Sequence, residues 1–261
     1  MTNQPIDAWD VPTYPKNILE LLANTKPVLD AYYLRKTELD NADDPDSSSA
    51  IVRENELAVR FHSFIEDDLM RCLGSERIRG WHYCRLTDQE TQAMENGTLI
   101  SASKASLKQR LENLPEEFRL SGQDIELICA QSPLNDEQQR KVRSHRFFMV
   151  SKPLALVDPS VRPLTTYWGG EITYFWLQSE CLKENLSTIG APRIVECHVP
   201  VRGTHLAYRA AISIVETYCK VSQAGSPFDF HASPKGKSLE IVRVHSEGDP
   251  VFDKLRGKET Q

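Results

Sequence analysis

The hydrophobic pattern of this chain changes period at Gly74, and that change restricts it to a mixed fold. Upstream, Leu57, Phe61, Phe64, Ile65, Leu69 and Cys72 recur mostly at three- and four-residue steps, which lays one apolar stripe along a helix. This helix is expected to begin at Ser49 and to stop at Gly74. A second helix is expected from Asn17 to about Arg35, carrying Ile18, Leu21, Leu22, Val28, Leu29 and Tyr32, with Pro27 breaking or restarting it. Between the two, Asp40–Ser49 reads as a solvated loop. Downstream of Gly74 the apolar segments are short. Strands are expected at Gly80–Arg85, Arg146–Val150, Arg193–Val199 and Leu239–His245. Helices are expected at Asp88–Glu95, Ser103–Asn113 and Gly169–Leu177, with a further apolar segment at Ile125–Ala130 and an amphipathic one at Leu206–Val221. Such strands are too short and scattered for a repeating βαβ wheel. The expected class is therefore α+β, with a helical region over 1–74 and a mixed domain over 75–261.

Composition removes several other classes. The 261 residues are 40% hydrophobic and 26% charged, as in a globular chain with a packed core. Apolar runs such as Phe147–Val150 and Leu154–Val157 are four residues long, against the roughly 20 that a spanning helix needs. No membrane partner is expected. Met1–Trp9 lacks the basic start and apolar stretch of a secretion signal, which points to the cytoplasm. The six cysteines show no CxxC spacing and sit among apolar neighbours, so reduced, mostly buried thiols and no metal are expected. A net charge of −6 argues against a strongly cationic coat for nucleic acid, though not against a local basic cleft. No GxGxxG or GxxxxGK pattern is present, which disfavours a Rossmann or P-loop nucleotide site.

The densest chemical signal lies in Trp81–Leu99. It reads as a strand, a helix N-cap at Thr87 with Glu90 as capping-box partner, a short helix, and a stop at Asn96-Gly97. His82, Tyr83 and Arg85 therefore sit beside a helix start, where free backbone N–H groups favour an anionic or amide ligand. A histidine and an arginine there suit ribose and phosphate contacts. An ordinary strand with a satisfied histidine remains open.

Two later segments carry further candidates. Thr166–Trp176 combines Tyr167, Trp168, the pair Gly169-Gly170 and Glu171, so aromatic faces, close backbone approach and a carboxylate coincide. The alternative is a helix start, with Glu171 serving the dipole and the aromatics serving the core. Arg140, Lys141, Arg143, His145 and Arg146 form a basic cluster on an acidic chain. It is either a solvated face or a phosphate groove that Lys235, Lys237 and Arg243 would extend. Cys197 and His198 are adjacent on one strand and point to opposite faces, which rules against a nucleophile–base pair.

The order His82, Tyr83, Cys84, a helix of about ten residues and then Asn96-Gly97 resembles the opening of ADP-ribosyltransferases. The similarity is to the branch that holds the diphtheria-toxin and poly-ADP-ribose enzymes, and to DNA-modifying bacterial toxins. The resemblance implies a split β-sandwich with a helical N-terminal part, and a catalytic domain over 75–261. It implies NAD as substrate, with ADP-ribose transferred, nicotinamide released and no metal. His82 would bind a ribose hydroxyl, Tyr83 would anchor the nicotinamide amide, and Arg85 would reach the pyrophosphate. Cys84 stands where the family usually has threonine or serine. Tyr167 or Trp168 would stack on nicotinamide. Glu171, or else Glu240 or Glu196, would face the oxocarbenium-like centre. Arg140, Lys141, Arg143 and Arg146 would hold a nucleic-acid acceptor, with RNA favoured over protein. A toxin or phage-defence effector is the implied setting, specifically the toxin of a toxin–antitoxin–chaperone system with an antitoxin protein as partner. A non-catalytic binding module and a metal-dependent nuclease are the alternatives.

Overall fold

The computed structural model describes residues 4–42, 54–99, 101–202, 204–221, 225–233 and 239–257. The chain begins with a 3-10 turn at Val11–Thr13, α1 (Lys16–Ala42) and α2 (Ala58–Ser63). A π-helical stretch, Phe64–Leu69, runs directly into α3 (Met70–Leu73). Then come β1 (Arg77–Leu86), α4 (Asp88–Glu95), α5 (Lys104–Glu112), α6 (Gly122–Gln131), α7 (Glu137–Arg143) and β2 (Phe147–Val150). They are followed by α8 (Arg162–Thr166), α9 (Glu171–Tyr174), α10 (Glu180–Thr188) and β3 (Ala191–Pro200). The last elements are α11 (Thr204–Cys219), β4 (Asp229–Ala232), β5 (Glu240–His245) and α12 (Pro250–Arg256).

The five strands form one antiparallel sheet in the order β4-β2-β1-β3-β5, so the class is α+β. The resemblance implied two layers. Here the pairing of Trp81 on β1 with Val150 on β2 joins the β4–β2 ribbon to the other three strands in a single sheet. No helix among the described residues is long and apolar enough to cross a membrane.

The chain divides into two compact units, 1–79 with 200–228 and 80–199 with 229–261. A single boundary at 74/75 was expected from the sequence. The difference arises because α11 packs with the N-terminal helices. In the first unit, Ile18, Leu22 and Leu29 line the buried side of α1, and Ala207, Ala210, Ala211, Ile214 and Val215 that of α11. Pro27 does not break α1, whose buried stripe continues on both sides of it. Packing of an apolar face outweighs the local penalty of an interior proline. Phe61, Ile65, Leu69 and Leu73 are all buried, four residues apart. A four-residue step overshoots an α-turn, and the wider π-turns over Phe64–Leu69 keep these side chains in line. Leu73 therefore takes the place expected for Cys72. The expected loop at Asp40–Ser49 falls mostly outside the described residues, but α1 runs through Asp40–Ala42. Ser49 itself lies outside them; the helix expected from it starts only at Ala58, since Glu54–Leu57 are not helical.

In the second unit, Asp88–Glu95 is helical as expected. Its capping box is complete: Thr87 Oγ1 accepts from the Glu90 N–H at 3.2 Å, and Glu90 Oε2 accepts from the Thr87 N–H at 3.0 Å. Ser103 caps α5 in the same way. Ile125–Ala130 lies inside α6, which Ser121 and Asp124 cap reciprocally. The helix expected over Gly169–Leu177 shrinks to Glu171–Tyr174, because Gly169 and Gly170 hold φ values of 83° and 68°. All six cysteines are free. Only Cys84 and Cys197 are fully buried, and Cys181 is exposed.

Gly190 joins α10 to β3 at φ 62°, and a Cβ there would lie 2.1 Å from the Leu86 carbonyl oxygen. The backbone of β1 can turn into the α4 cap only because this position has no side chain. Gly190→Ala is expected to lower folding stability by roughly 2 kcal/mol or more, measured by urea unfolding, since it combines left-handed strain with a backbone clash.

Candidate functional site

A cavity of about 640 Å³ lies within the second unit. It is lined by β1 from Trp81 to Leu86, by the start of α4 and the middle of α5, by Arg143, Arg146 and β2, and by Gly169–Ile172. Four arginines (Arg85, Arg110, Arg143, Arg146) face three carboxylates (Glu90, Glu171, Asp229) around it. The cavity is thus slightly basic in an acidic chain.

His82 reaches across to β2, where its Nδ1 lies 2.7 Å from the Phe148 carbonyl oxygen. A carbonyl can only accept, so Nδ1 carries the proton. Burial, aided by the nearby Arg110 charge and opposed by this hydrogen bond, holds the imidazole down at about 4. The ring is neutral near pH 7, and Nε2 is left as an acceptor suited to a hydroxyl group.

Tyr83 and Arg85 line the same cavity, but their polar groups serve the chain. The Tyr83 hydroxyl donates to the Leu154 carbonyl at 2.9 Å and accepts from the Leu154 N–H at 2.6 Å. Its ring packs with Trp81, Val161, Ile194 and Phe252. Arg85 donates from Nε to the Ile189 carbonyl at 2.8 Å and from Nη2 to the Gly190 carbonyl at 2.9 Å. It secures the α10–β3 turn, where the resemblance implied a pyrophosphate contact.

The aromatic assignment is overturned. Trp168 is 0% exposed, packed among Leu107, Leu111, Ile128, Leu182 and Leu186, and cannot stack on a ligand. Tyr167 packs against the same cluster and faces Tyr174 at a ring distance of 5.0 Å. Neither lines the cavity. Trp168 instead donates from Nε1 to Glu90 Oε2 at 2.7 Å, with the Arg110 guanidinium 4.5 Å above its ring. Glu90 Oε1 accepts from Arg110 Nε at 2.9 Å and lies 2.7 Å from Nη2. One carboxylate therefore caps α4, pairs with α5 and fixes the indole ahead of the glycine pair.

Glu171 follows that pair and faces the cavity. Thr173 Oγ1 donates to the Trp168 and Gly170 carbonyls at 2.6 and 2.8 Å, which shapes the turn. A Cβ on Gly169 would lie 2.4 Å from Thr173 Cγ2, so only glycine fits there. Glu171 Oε2 accepts from Arg143 Nε at 3.2 Å and Nη2 at 3.0 Å.

The basic cluster divides. Arg143 and Arg146 line the cavity, and the Arg146 side chain has no partner among the described residues. Arg140 and Lys141 stand outside it, exposed on α7, and Lys141 pairs with Glu137 at 2.7 Å. Lys235 and Lys237 lie outside the described residues, and Arg243, on β5, pairs with Asp249 at the start of α12, away from the cavity. Glu240 is also excluded: it is exposed on the edge strand β5, opposite His198. Glu196 is buried beside His245, whose Nε2 is 3.1 Å from its carboxylate. Burial, with Glu90 nearby, pushes the Cys84 thiol up to about 12, so it stays protonated. No group of three or more His, Cys, Asp or Glu among the described residues is placed to hold a metal ion.

Arg110 and the second role of Glu90 were not anticipated. Their signal is faint: Arg110 sits on α5 between the buried Leu107 and Leu111, an unusual place for a charge without a partner. No family model, curated protein or solved structure matches this chain.

Two outcomes follow from this geometry. His82 titrates lower in the folded chain, at about 4, than its ordinary 6.5, so below 6.5 the unfolded chain binds more protons. Its contribution to stability is complete above 6.5 and declines as the pH falls toward about 4; denaturant unfolding across that window should show a decline that His82→Gln flattens. Glu90→Ala should destabilise the chain by about 3 kcal/mol, because Arg110 and the Trp168 N–H both lose their partner, and Glu90→Gln by less, since the indole bond survives. Urea unfolding of the two variants checks this order.

Proposed function

We propose that this cavity binds NAD as a substrate and transfers its ADP-ribose to an acceptor, with release of nicotinamide. One observation carries the reading. A neutral histidine, a carboxylate on a glycine-shaped turn and two arginines, from segments far apart in sequence, line a single cavity. On this reading the seam between β1 and β2 is where the sheet would divide in the split sandwich of the ADP-ribosyltransferases. The acceptor is a nucleic acid, RNA before protein, and the setting is a cytoplasmic toxin or phage-defence effector restrained by an antitoxin.

Each side chain has a definable part. His82 Nε2 accepts from a ribose hydroxyl. The β1 backbone at Tyr83 holds the carboxamide. Arg146, and Arg143 beside the carboxylate, attract the pyrophosphate. Glu171 supplies negative charge where the bond between the ribose C1′ and the pyridinium nitrogen breaks, its electron pair leaving with nicotinamide. The acceptor oxygen or nitrogen then bonds to C1′ and gives up its proton. Arg143 fixes the orientation of the Glu171 carboxylate in the meantime.

Purified protein incubated with NAD is expected to release nicotinamide. Glu171→Gln should lower kcat by about 100-fold or more with KM little changed, since its charge acts on the transition state. His82→Ala should act mainly through KM, by about tenfold. Folded wild-type protein that releases no nicotinamide would overturn the reading in favour of a binding module.

A further inference from the structure

The β2–β4 ribbon presents an exposed aromatic pair at the cavity rim. Both strands alternate: Phe147, Met149, Phe230 and Ala232 are buried, while Phe148 and His231 are exposed and directly opposite each other. Their rings lie 5.5 Å apart at 48°. Phe148 is 40% exposed and lines the cavity, and β4 is an edge strand. A large apolar ring left open on a sheet face, beside a second flat ring, is a surface on which a planar group can stack. Arg146, two residues before Phe148, lines the same cavity, and Arg140 is exposed on α7. Neither guanidinium has a partner among the described residues, in a chain of net charge −6.

Flat rings and unneutralised guanidinium groups together match a nucleobase joined to phosphates. A base inside a duplex has both faces covered, so the occupant must be unpaired. The adenine of NAD would satisfy the rings alone. Its two phosphates are already matched by Arg143 and Arg146, and Arg140, outside the cavity lining, calls for a strand that continues beyond it. We propose that Phe148 and His231 are the stacking platform for one unpaired base of a single-stranded RNA acceptor, with Arg140 on a neighbouring phosphate. This rests on the nucleic-acid-directed reading above and adds the place where the acceptor is held.

The test is the anisotropy of a short fluorescein-labelled single-stranded RNA titrated with the full chain in the absence of NAD. Wild-type protein should bind it, and the corresponding duplex should compete poorly. Phe148→Leu and His231→Ala, each with a wild-type thermal melt, should weaken binding by about tenfold. Arg140→Ala should reduce the salt dependence by roughly one phosphate contact. The proposal fails if wild-type protein does not bind the strand, or if both platform variants bind as wild type does. It also fails if single-stranded DNA of the same sequence binds more tightly, or if Phe148→Leu weakens NAD binding while leaving RNA binding intact. Because binding is read without NAD, the absence of nicotinamide release would sink the transferase reading without deciding this result.

Discussion

The Glu90 carboxylate is the contact on which the cavity's construction depends. It closes the first turn of α4, neutralises Arg110 on α5 and receives the indole N–H of Trp168. These partners come from three separate stretches of chain. A half-buried carboxylate with this many donors is well compensated for leaving water, and each donor is held in place by the others. Trp168 lies two residues before Gly170, so the same contact determines where the glycine turn leaves the core. The turn in turn aims Glu171 at the cavity.

Helix α7 and β2 supply the complementary wall. The tight connection between them is anchored: the His145 N–H donates to the Ala102 carbonyl at 3.0 Å, and the His145 ring bonds to Ser101 Oγ at 2.6 Å. His145 adopts φ 57° to make that turn. The result separates the arginines by role. Arg143 and Arg146 enter the cavity, while Arg140 and Lys141 stay on the outer face of the helix. One basic run in the sequence is therefore two environments in space, and only the inner pair can meet a small ligand.

What was legible in the sequence follows from range. Asp88–Glu95 and the helix after Ser103 were readable because their caps lie three residues apart and need nothing else. His82 and Glu171 were identifiable as candidates because their local settings, a strand beside a helix start and a glycine pair, restrict chemistry. That they share a cavity required the sheet register, which no local pattern encodes. The aromatic segment misled for a related reason: Trp168 and a stacking residue look alike until the leucines of α5 and α10 are placed around the indole. Glu240 was equally plausible from its strand pattern, and only the strand order puts it at the far edge. The strand β4 left little trace, because four residues with alternating burial need a partner to be recognised.

The second unit is assembled from two stretches of chain, 80–199 and 229–261, with the segment in between belonging to the first. During synthesis, β1, the helices that bear Glu90 and Arg110, and the Glu171 turn all emerge early. The strand that pairs with β2 and the strand that borders β3 are made after them. Pairings this distant form slowly, since loop closure precedes their reward. A nascent chain would thus hold most of the cavity's side chains long before its sheet is whole. Completion of the binding wall therefore waits for the strands within 229–245 rather than for the appearance of the reactive residues.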